Sequence, residues 1–266
     1  MSWETIILEN VAEVPGVAKL TINRPKALNA LNQTVLSELR EAVNQIEKDD
    51  AIRIVIVTGA GEKSFVAGAD ISELKGLVNN APGAYALARN GQTIYQQIEE
   101  SSKVYIAAVN GFALGGGCEL SMACDIRIAV AKAKFGVPEV SLGTVPGYAG
   151  TQRLPRLVGE GRAKQMAFTA AHVPAARAYE MGLVNQVVET YDELIPAALD
   201  MAKAILKNSM FAVGIAKKCI HEGLQMDIVS GIEHEAALFA QTYNYKDTAE
   251  GIGAFLEKRK PDFKNV

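Results

Sequence analysis

The chain has 266 residues, 49% of them apolar and 21% charged, which is the composition of a globular protein large enough to bury a core without metal or disulfide staples. Lys plus Arg number 27 against 30 Asp plus Glu, a formal charge of −3, so there is no overall basic surplus for nucleic acid. No apolar run approaches the roughly 18 residues of a membrane span, and Met1-Ser2-Trp3-Glu4 lacks the basic-then-apolar layout of a signal peptide. A cytoplasmic protein is expected, although a matrix protein after removal of its transit peptide would read the same.

In chain order, Thr5–Leu8 and Val17–Ile22 are expected to be strands, the second because Ala18, Leu20 and Ile22 alternate with Lys19 and Thr21. Thr34–Lys48 is expected to be an amphipathic helix with Leu36, Leu39, Val43 and Ile46 on one face and Asn32 or Thr34 as its cap. Ile52–Thr58 and Val104–Val109 are apolar runs ending at glycine turns, the pattern of strands buried on both faces. Ile126–Ala129 and Val184–Val188 are shorter strands of the same kind. The alternation of strand, glycine turn and helix indicates an α/β fold. Beyond about Tyr191 no strand is evident. Glu193–Asn208, Phe211–Gly223, Asp227–Asn244 and Asp247–Lys258 predict helices, so a core of residues 1–191 and a helical segment of residues 192–266 are expected.

Several familiar chemistries are missing. There is no GxGxxG, Walker A, GxSxG or HExxH. Cys118, Cys124 and Cys219 have neither disulfide-framework nor zinc spacing, and His172, His221 and His234 are scattered. No metal, nicotinamide or flavin is expected.

The informative stretch is Val104–Leu154. A buried strand leads into Asn110-Gly111-Phe112-Ala113-Leu114-Gly115-Gly116-Gly117-Cys118-Glu119, and a helix is expected from Gly117 or Cys118 to Cys124. Glycine amides at a helix start suit an oxygen that gains negative charge during reaction; tight helix–strand packing would need the same glycines. Ala67-Gly68-Ala69-Asp70 is a second small-residue turn, able to supply another amide or simply a snug bend capped by Asp70. Glu119 and Glu139 each sit in apolar surroundings, which raise a carboxyl pKa toward the range of acid–base work. Each alone is more often a surface or capping residue, and their 20-residue separation does not show that they converge.

In combination, these stretches resemble the crotonase (enoyl-CoA hydratase/isomerase) superfamily over nearly the whole chain, its bacterial short-chain hydratases in particular. The resemblance rests also on Asn23-Arg24-Pro25-Lys26-Ala27-Leu28-Asn29-Ala30-Leu31, Phe135-Gly136-Val137-Pro138-Glu139, Pro146-Gly147-Tyr148-Ala149-Gly150-Thr151-Gln152-Arg153-Leu154 and Ala254–Lys260. It implies a spiral of repeated β-β-α units with a C-terminal helical segment, assembled as homo-trimers or as hexamers of paired trimers. The substrate it implies is an acyl-CoA, with coenzyme A as part of the substrate rather than a separate cofactor. It assigns Glu119 to activating water and Glu139 to protonating C2, and the amides of Ala69 and Gly116 to the oxyanion hole. Lys26, Ala27, Leu28, Ala67, Asp70, Ile71 and Gly115 would line the thioester and CoA. Phe255 and Lys258 would approach the adenine and phosphates. The implied reaction is reversible syn hydration of a short-chain trans-2-enoyl-CoA. Val137 and Tyr148 depart from the usual hydratase pattern. They are either neutral variation or changes to the acyl pocket, which would point instead to hydration or double-bond shift on a branched, cyclic or aromatic-pathway acyl-CoA. A non-catalytic acyl-CoA-binding subunit is the remaining alternative, and retention of both glutamates counts against it.

Overall fold

A computed structural model describes residues 3–264. The chain opens with an antiparallel pair, β1 (Ile6–Asn10) and β2 (Val17–Ile22). Next comes α1 (Gln33–Lys48), capped by the Asn32 side chain, which accepts from the Val35 N–H. Its buried stripe, Val35, Leu36, Leu39, Ala42, Val43 and Ile46, has the spacing the sequence predicts. Each large side chain of that stripe contributes roughly 1.5–3 kcal/mol by leaving water.

Two chain reversals of similar design follow. The fully buried β3 (Ile54–Gly59) leads to the short β4 (Ser64–Val66), then to α2 (Ile71–Lys75) and α3 (Ala81–Glu100). The fully buried β5 (Val104–Val109) leads to β6 (Phe112–Leu114) and α4 (Gly116–Ala123). A third pass runs through β7 (Ile126–Val130) and β8 (Lys134–Gly136) into a 3-10 turn at Pro138–Leu142, then α5 (Gly150–Val158) and α6 (Glu160–Thr169). The short β9 (Val173–Pro174), α7 (Ala175–Glu180) and β10 (Gln186–Val188) complete this part.

Each pass places its long strand in one sheet, of order β1-β2-β3-β5-β7-β10, and its short strand in another, of order β4-β6-β8-β9. Neighbours from β2 to β10 in the first sheet are parallel, as are β4, β6 and β8 in the second. The result is the spiral of repeated β-β-α units. Two buried asparagines fasten successive passes. Asn29 donates to Ala60 O (3.0 Å) and Ser64 O (2.7 Å), and Asn110 donates to Gly59 O (2.9 Å) and Ser64 O (3.0 Å). They satisfy turn carbonyls that the two sheets leave unpaired.

The C-terminal part is helical: α8 (Leu194–Leu206), α9 (Met210–Gly223), α10 (Ile228–Thr242) and α11 (Lys246–Leu256). α8 packs on β5 and β7 and buries Leu194, Ala198 and Ala202. α9 is fastened by Lys217, whose ammonium donates to Ile98 O, Lys103 O and Asp125 Oδ2 at 2.9–3.0 Å. Among the described residues, no helix is long and apolar enough to cross a membrane.

Most expected elements are present with shifted ends. The first strand is Ile6–Asn10 rather than Thr5–Leu8, and only Gln186–Val188 of Val184–Val188 is extended. The helix carrying Glu119 begins one or two residues earlier than expected, at Gly116.

Candidate active site

Glu119 lies in the first turn of α4 and is 1% exposed. Its Oε1 accepts from two backbone amides of the loop entering α5, Tyr148 N (2.9 Å) and Gly150 N (2.6 Å). A methyl group on Gly150 would lie 2.8 Å from that same oxygen, so the loop approaches this closely only because residue 150 lacks a side chain. The second carboxylate oxygen takes no part in this clamp. Burial raises the Glu119 pKa to about 7. The Gly150 and Tyr148 hydrogen bonds and the Arg153 charge oppose the rise, and the Glu139 charge adds to it.

Glu139 stands in the 3-10 turn after β8, half-buried. Burial raises its pKa as well. Its Oε2 is buried and, among the described residues, has no hydrogen-bond partner. Its Oε1 faces Gly115, where a Cβ would come within 2.8 Å. Gly115 also has φ +50°, a left-handed conformation that glycine adopts at little cost. An unpartnered buried carboxyl oxygen costs stability unless something else meets it.

Two amide-bearing turns flank these carboxylates. Leu31 and Ala69 form a parallel bridge in which Leu31 uses both its own backbone groups, donating to Gly68 O (2.8 Å) and accepting from Asp70 N (2.8 Å). The Ala69 N–H therefore points away from Leu31. Gly116 opens α4, where an N–H has no acceptor within its own helix. Among the described residues, neither amide has a hydrogen-bond acceptor in the chain. The turns adjoin each other: the Cβ position of Gly68 lies 3.4 Å from Leu114 O, and that of Gly115 lies 3.7 Å from Gly68 Cα. Such a pair of donors can receive an oxygen that becomes negative.

Lys26 and Ala27 form a 3-10 turn with Pro25, and Leu28 follows it at φ 51°. Leu28 O accepts from Ala67 N (3.1 Å), joining these two expected stretches. Asp70 caps α2 and pairs with Arg24 (3.2 Å), which also donates to Ala30 O (2.6 Å). Hydrogen bonds to Ser72 and Arg24 hold the Asp70 carboxyl below its ordinary range. Asp70 is thus a structural cap at the turn, and Ile71 beside it is exposed. Tyr148 is buried against the Gly116 and Gly91 positions and meets Tyr95 edge-on at 5.6 Å between ring centres. Val137 is buried in the core immediately before Pro138 and Glu139.

Phe255 and Lys258 are not brought into this group. They lie at the end of α11, with Phe255 83% exposed. Among the described residues no hydrogen bond or ion pair joins either to the other candidates outside α11's own end. Conversely, Arg24, Asn29, Asn110, Arg127 and the Glu99–Arg153 pair shape the site without having been singled out for that. Arg127 donates to Cys124 O (2.6 Å), Ser121 O (3.2 Å) and Leu183 O (2.7 Å), and so holds the C-terminal carbonyls of the helix that carries Glu119. The only sequence signal for it was a charge inside an otherwise apolar strand.

Residues 13–266 match the family model described as enoyl-CoA hydratase/isomerase. Crotonyl-CoA hydratase of Syntrophomonas wolfei is 49% identical over 263 residues, spanning 99% of both chains. Short-chain-enoyl-CoA hydratase of Clostridium acetobutylicum is 48% identical over 266 residues, all of both chains. The crystal structure of an enoyl-CoA hydratase from Bacillus anthracis superposes with a TM-score of 0.93 at 40% identity, covering 99% of this chain and all of the other. The family model over residues 13–266, these full-length similarities and the shared spiral with its helical C-terminal part show that the chain belongs to the enoyl-CoA hydratase/isomerase family.

Proposed function

We propose that the protein catalyses the reversible syn hydration of a short-chain trans-2-enoyl-CoA to the 3-hydroxyacyl-CoA. The observation that carries the proposal is the pairing of a clamped, near-neutral Glu119 with a Glu139 whose buried Oε2 has no partner, beside the turns that present the Ala69 and Gly116 amides. The full-length similarity to proteins named crotonyl-CoA hydratase and short-chain-enoyl-CoA hydratase supports the substrate class.

In this reading the thioester oxygen lies between the two amides, which stabilise its enolate-like charge. Ionised Glu119 takes a proton from water as the oxygen attacks C3. Protonated Glu139 gives a proton to C2. The net change is addition of H and OH across the double bond, and a proton returned from Glu119 to Glu139 through solvent resets the pair. Loss of one oxyanion donor typically costs on the order of 10²–10³ in rate. No redox group or metal takes part in this balance, and coenzyme A enters as part of the substrate. In this reading Lys26 to Leu28 and Ala67 to Ile71 line the pantetheine, and Val137 and Tyr148 close the acyl end.

Assembly as a homo-trimer, or as a dimer of trimers, is part of the same proposal. α9, α10 and α11 leave Leu224, Ile228, Val229, Ile232, Phe255 and Leu256 exposed, a concentration of apolar surface that suits self-association. A neighbouring copy would then bring Phe255 and Lys258 to the CoA. The cytoplasm is the proposed compartment.

The test is the loss of ultraviolet absorbance of crotonyl-CoA on adding protein, with Glu139→Gln in parallel. Rapid loss in the wild type, reduced at least 10²-fold in the variant, is expected. Folded wild-type protein that leaves crotonyl-CoA unchanged would refute the reading.

A further inference from the structure

The loop that clamps Glu119 is itself held from behind by one face of α3. Gln92 donates to Gly147 O (2.8 Å). Gly91 leaves room for the Tyr148 ring; a Cβ there would lie 2.4 Å from it. Tyr95 packs on that ring and donates to Gly116 O (2.8 Å), which ties the same helix to the start of α4. Glu99 binds the Arg153 guanidinium through both oxygens, at 2.6 and 2.5 Å. The remaining arm of Arg153 donates to Tyr148 O (2.6 Å). Residues 91, 92, 95 and 99 share one side of α3 by helical spacing. The Tyr148 peptide is thereby fixed at both ends, its carbonyl by Arg153 and its N–H by Glu119.

We propose that Arg153, locked by Glu99, is a positioning residue for the hydration reaction: it holds the 147–150 loop in the shape that fixes Glu119. The inference rests on the reading of Glu119 as the group that activates water. A two-toothed guanidinium–carboxylate pair defines orientation as well as charge, which a lysine does not reproduce. Displacement of a reacting group by about 1 Å can cost on the order of 10² in rate.

The groups facing Glu119 are Glu139 from the 3-10 turn, Cys118 on its own helix, Tyr95 from α3, Tyr148 from the loop and Arg153 from α5. Of these, Arg153 is the cation that favours the ionised form of Glu119. Its removal therefore moves the acid limb of the kcat profile to higher pH.

The experiment measures kcat, KM and the pH profile of crotonyl-CoA hydration for Arg153→Met, Arg153→Lys and Glu99→Gln, with Glu119→Gln as control and unfolding curves for each. Arg153→Met is expected to lower kcat about 10–10²-fold, leave KM within about threefold and displace the acid limb upward. Arg153→Lys should keep the limb near its wild-type position with kcat still reduced, because charge is retained and the fork is lost. Glu99→Gln should also lower kcat; if Arg153→Met does not fold, these two variants carry the test. Wild-type kcat in Arg153→Lys and Glu99→Gln, with Glu119→Gln inactive, would overturn the positioning role alone. So would a lower kcat in Arg153→Met with the limb unmoved, the behaviour of a purely structural residue. An active Glu119→Gln would instead refute the assignment of Glu119.

Discussion

Glu119→Gln should make the protein more stable at neutral and alkaline pH. Burial lifts the Glu119 pKa from its ordinary 4.5 to about 7. Below 4.5 the carboxyl is neutral in both folded and unfolded chains and contributes no difference. As pH rises from 4.5 to 7, the unfolded chain ionises first, so the folded state loses ground. Above 7 the deficit is complete, about 3 kcal/mol at roughly 1.4 kcal/mol per pH unit. Glutamine has no charge to desolvate, and its carbonyl oxygen can still accept from Tyr148 and Gly150. The substitution should therefore recover about 2–3 kcal/mol at about pH 8 and close to nothing below about pH 4.5. Urea unfolding of both proteins across this range, at equal concentration, measures the gap. Equal stability at about pH 8, or a gap of the same size at both ends, would refute the reasoning. A gain in stability together with loss of turnover would identify a residue kept at the expense of the fold.

Other expectations follow from the same contacts. The rate of hydration should fall below about pH 7 as Glu119 becomes protonated, which a pH–rate profile checks. Gly150→Ala should push a methyl group against Glu119 Oε1 and lower kcat on the order of 10-fold or more while the fold survives, read by kinetics and circular dichroism. Lys217→Met should destabilise by about 3–5 kcal/mol, because it leaves Asp125 without its cation and two carbonyls without a donor; urea unfolding would contradict this with a loss under about 1 kcal/mol. Tyr148→Ala should enlarge the space beside Glu119 and raise the kcat/KM of a C8 enoyl-CoA relative to crotonyl-CoA on the order of 10-fold; an unchanged ratio would remove Tyr148 from the acyl pocket.

The elements legible in the sequence were those with a long periodic signal. The stripe of α1 and the apolar runs of β3 and β5 express burial on one or both faces, and the structure places them accordingly. β4, β6 and β8 have three residues each, too few for alternation to register, yet they form the sheet that carries the Ala69 and Gly116 turns. α3 was not singled out as a helix, although its face of Gly91, Gln92, Tyr95 and Glu99 grips the loop around Glu119. Those residues are not a hydrophobic stripe, and their pattern acquires meaning only once the 147–150 loop lies against them.

The sequence by itself determined the α/β class, the helical C-terminal part and the family, and it singled out Glu119, Glu139 and the two small-residue turns as candidates. Such properties are written in local spacing and in motif order. Only the tertiary structure decided that two amide-bearing turns from separate passes adjoin, that Glu119 is clamped by a loop some thirty residues onward, and that Phe255 stands exposed at the end of α11. The physical reason is that parallel strands must be joined by crossovers, so each pass of the chain returns its turn to the same end of the sheet. Distant residues become neighbours there by topology, and hydrogen bonds at that end, not sequence spacing, set where each carboxylate rests.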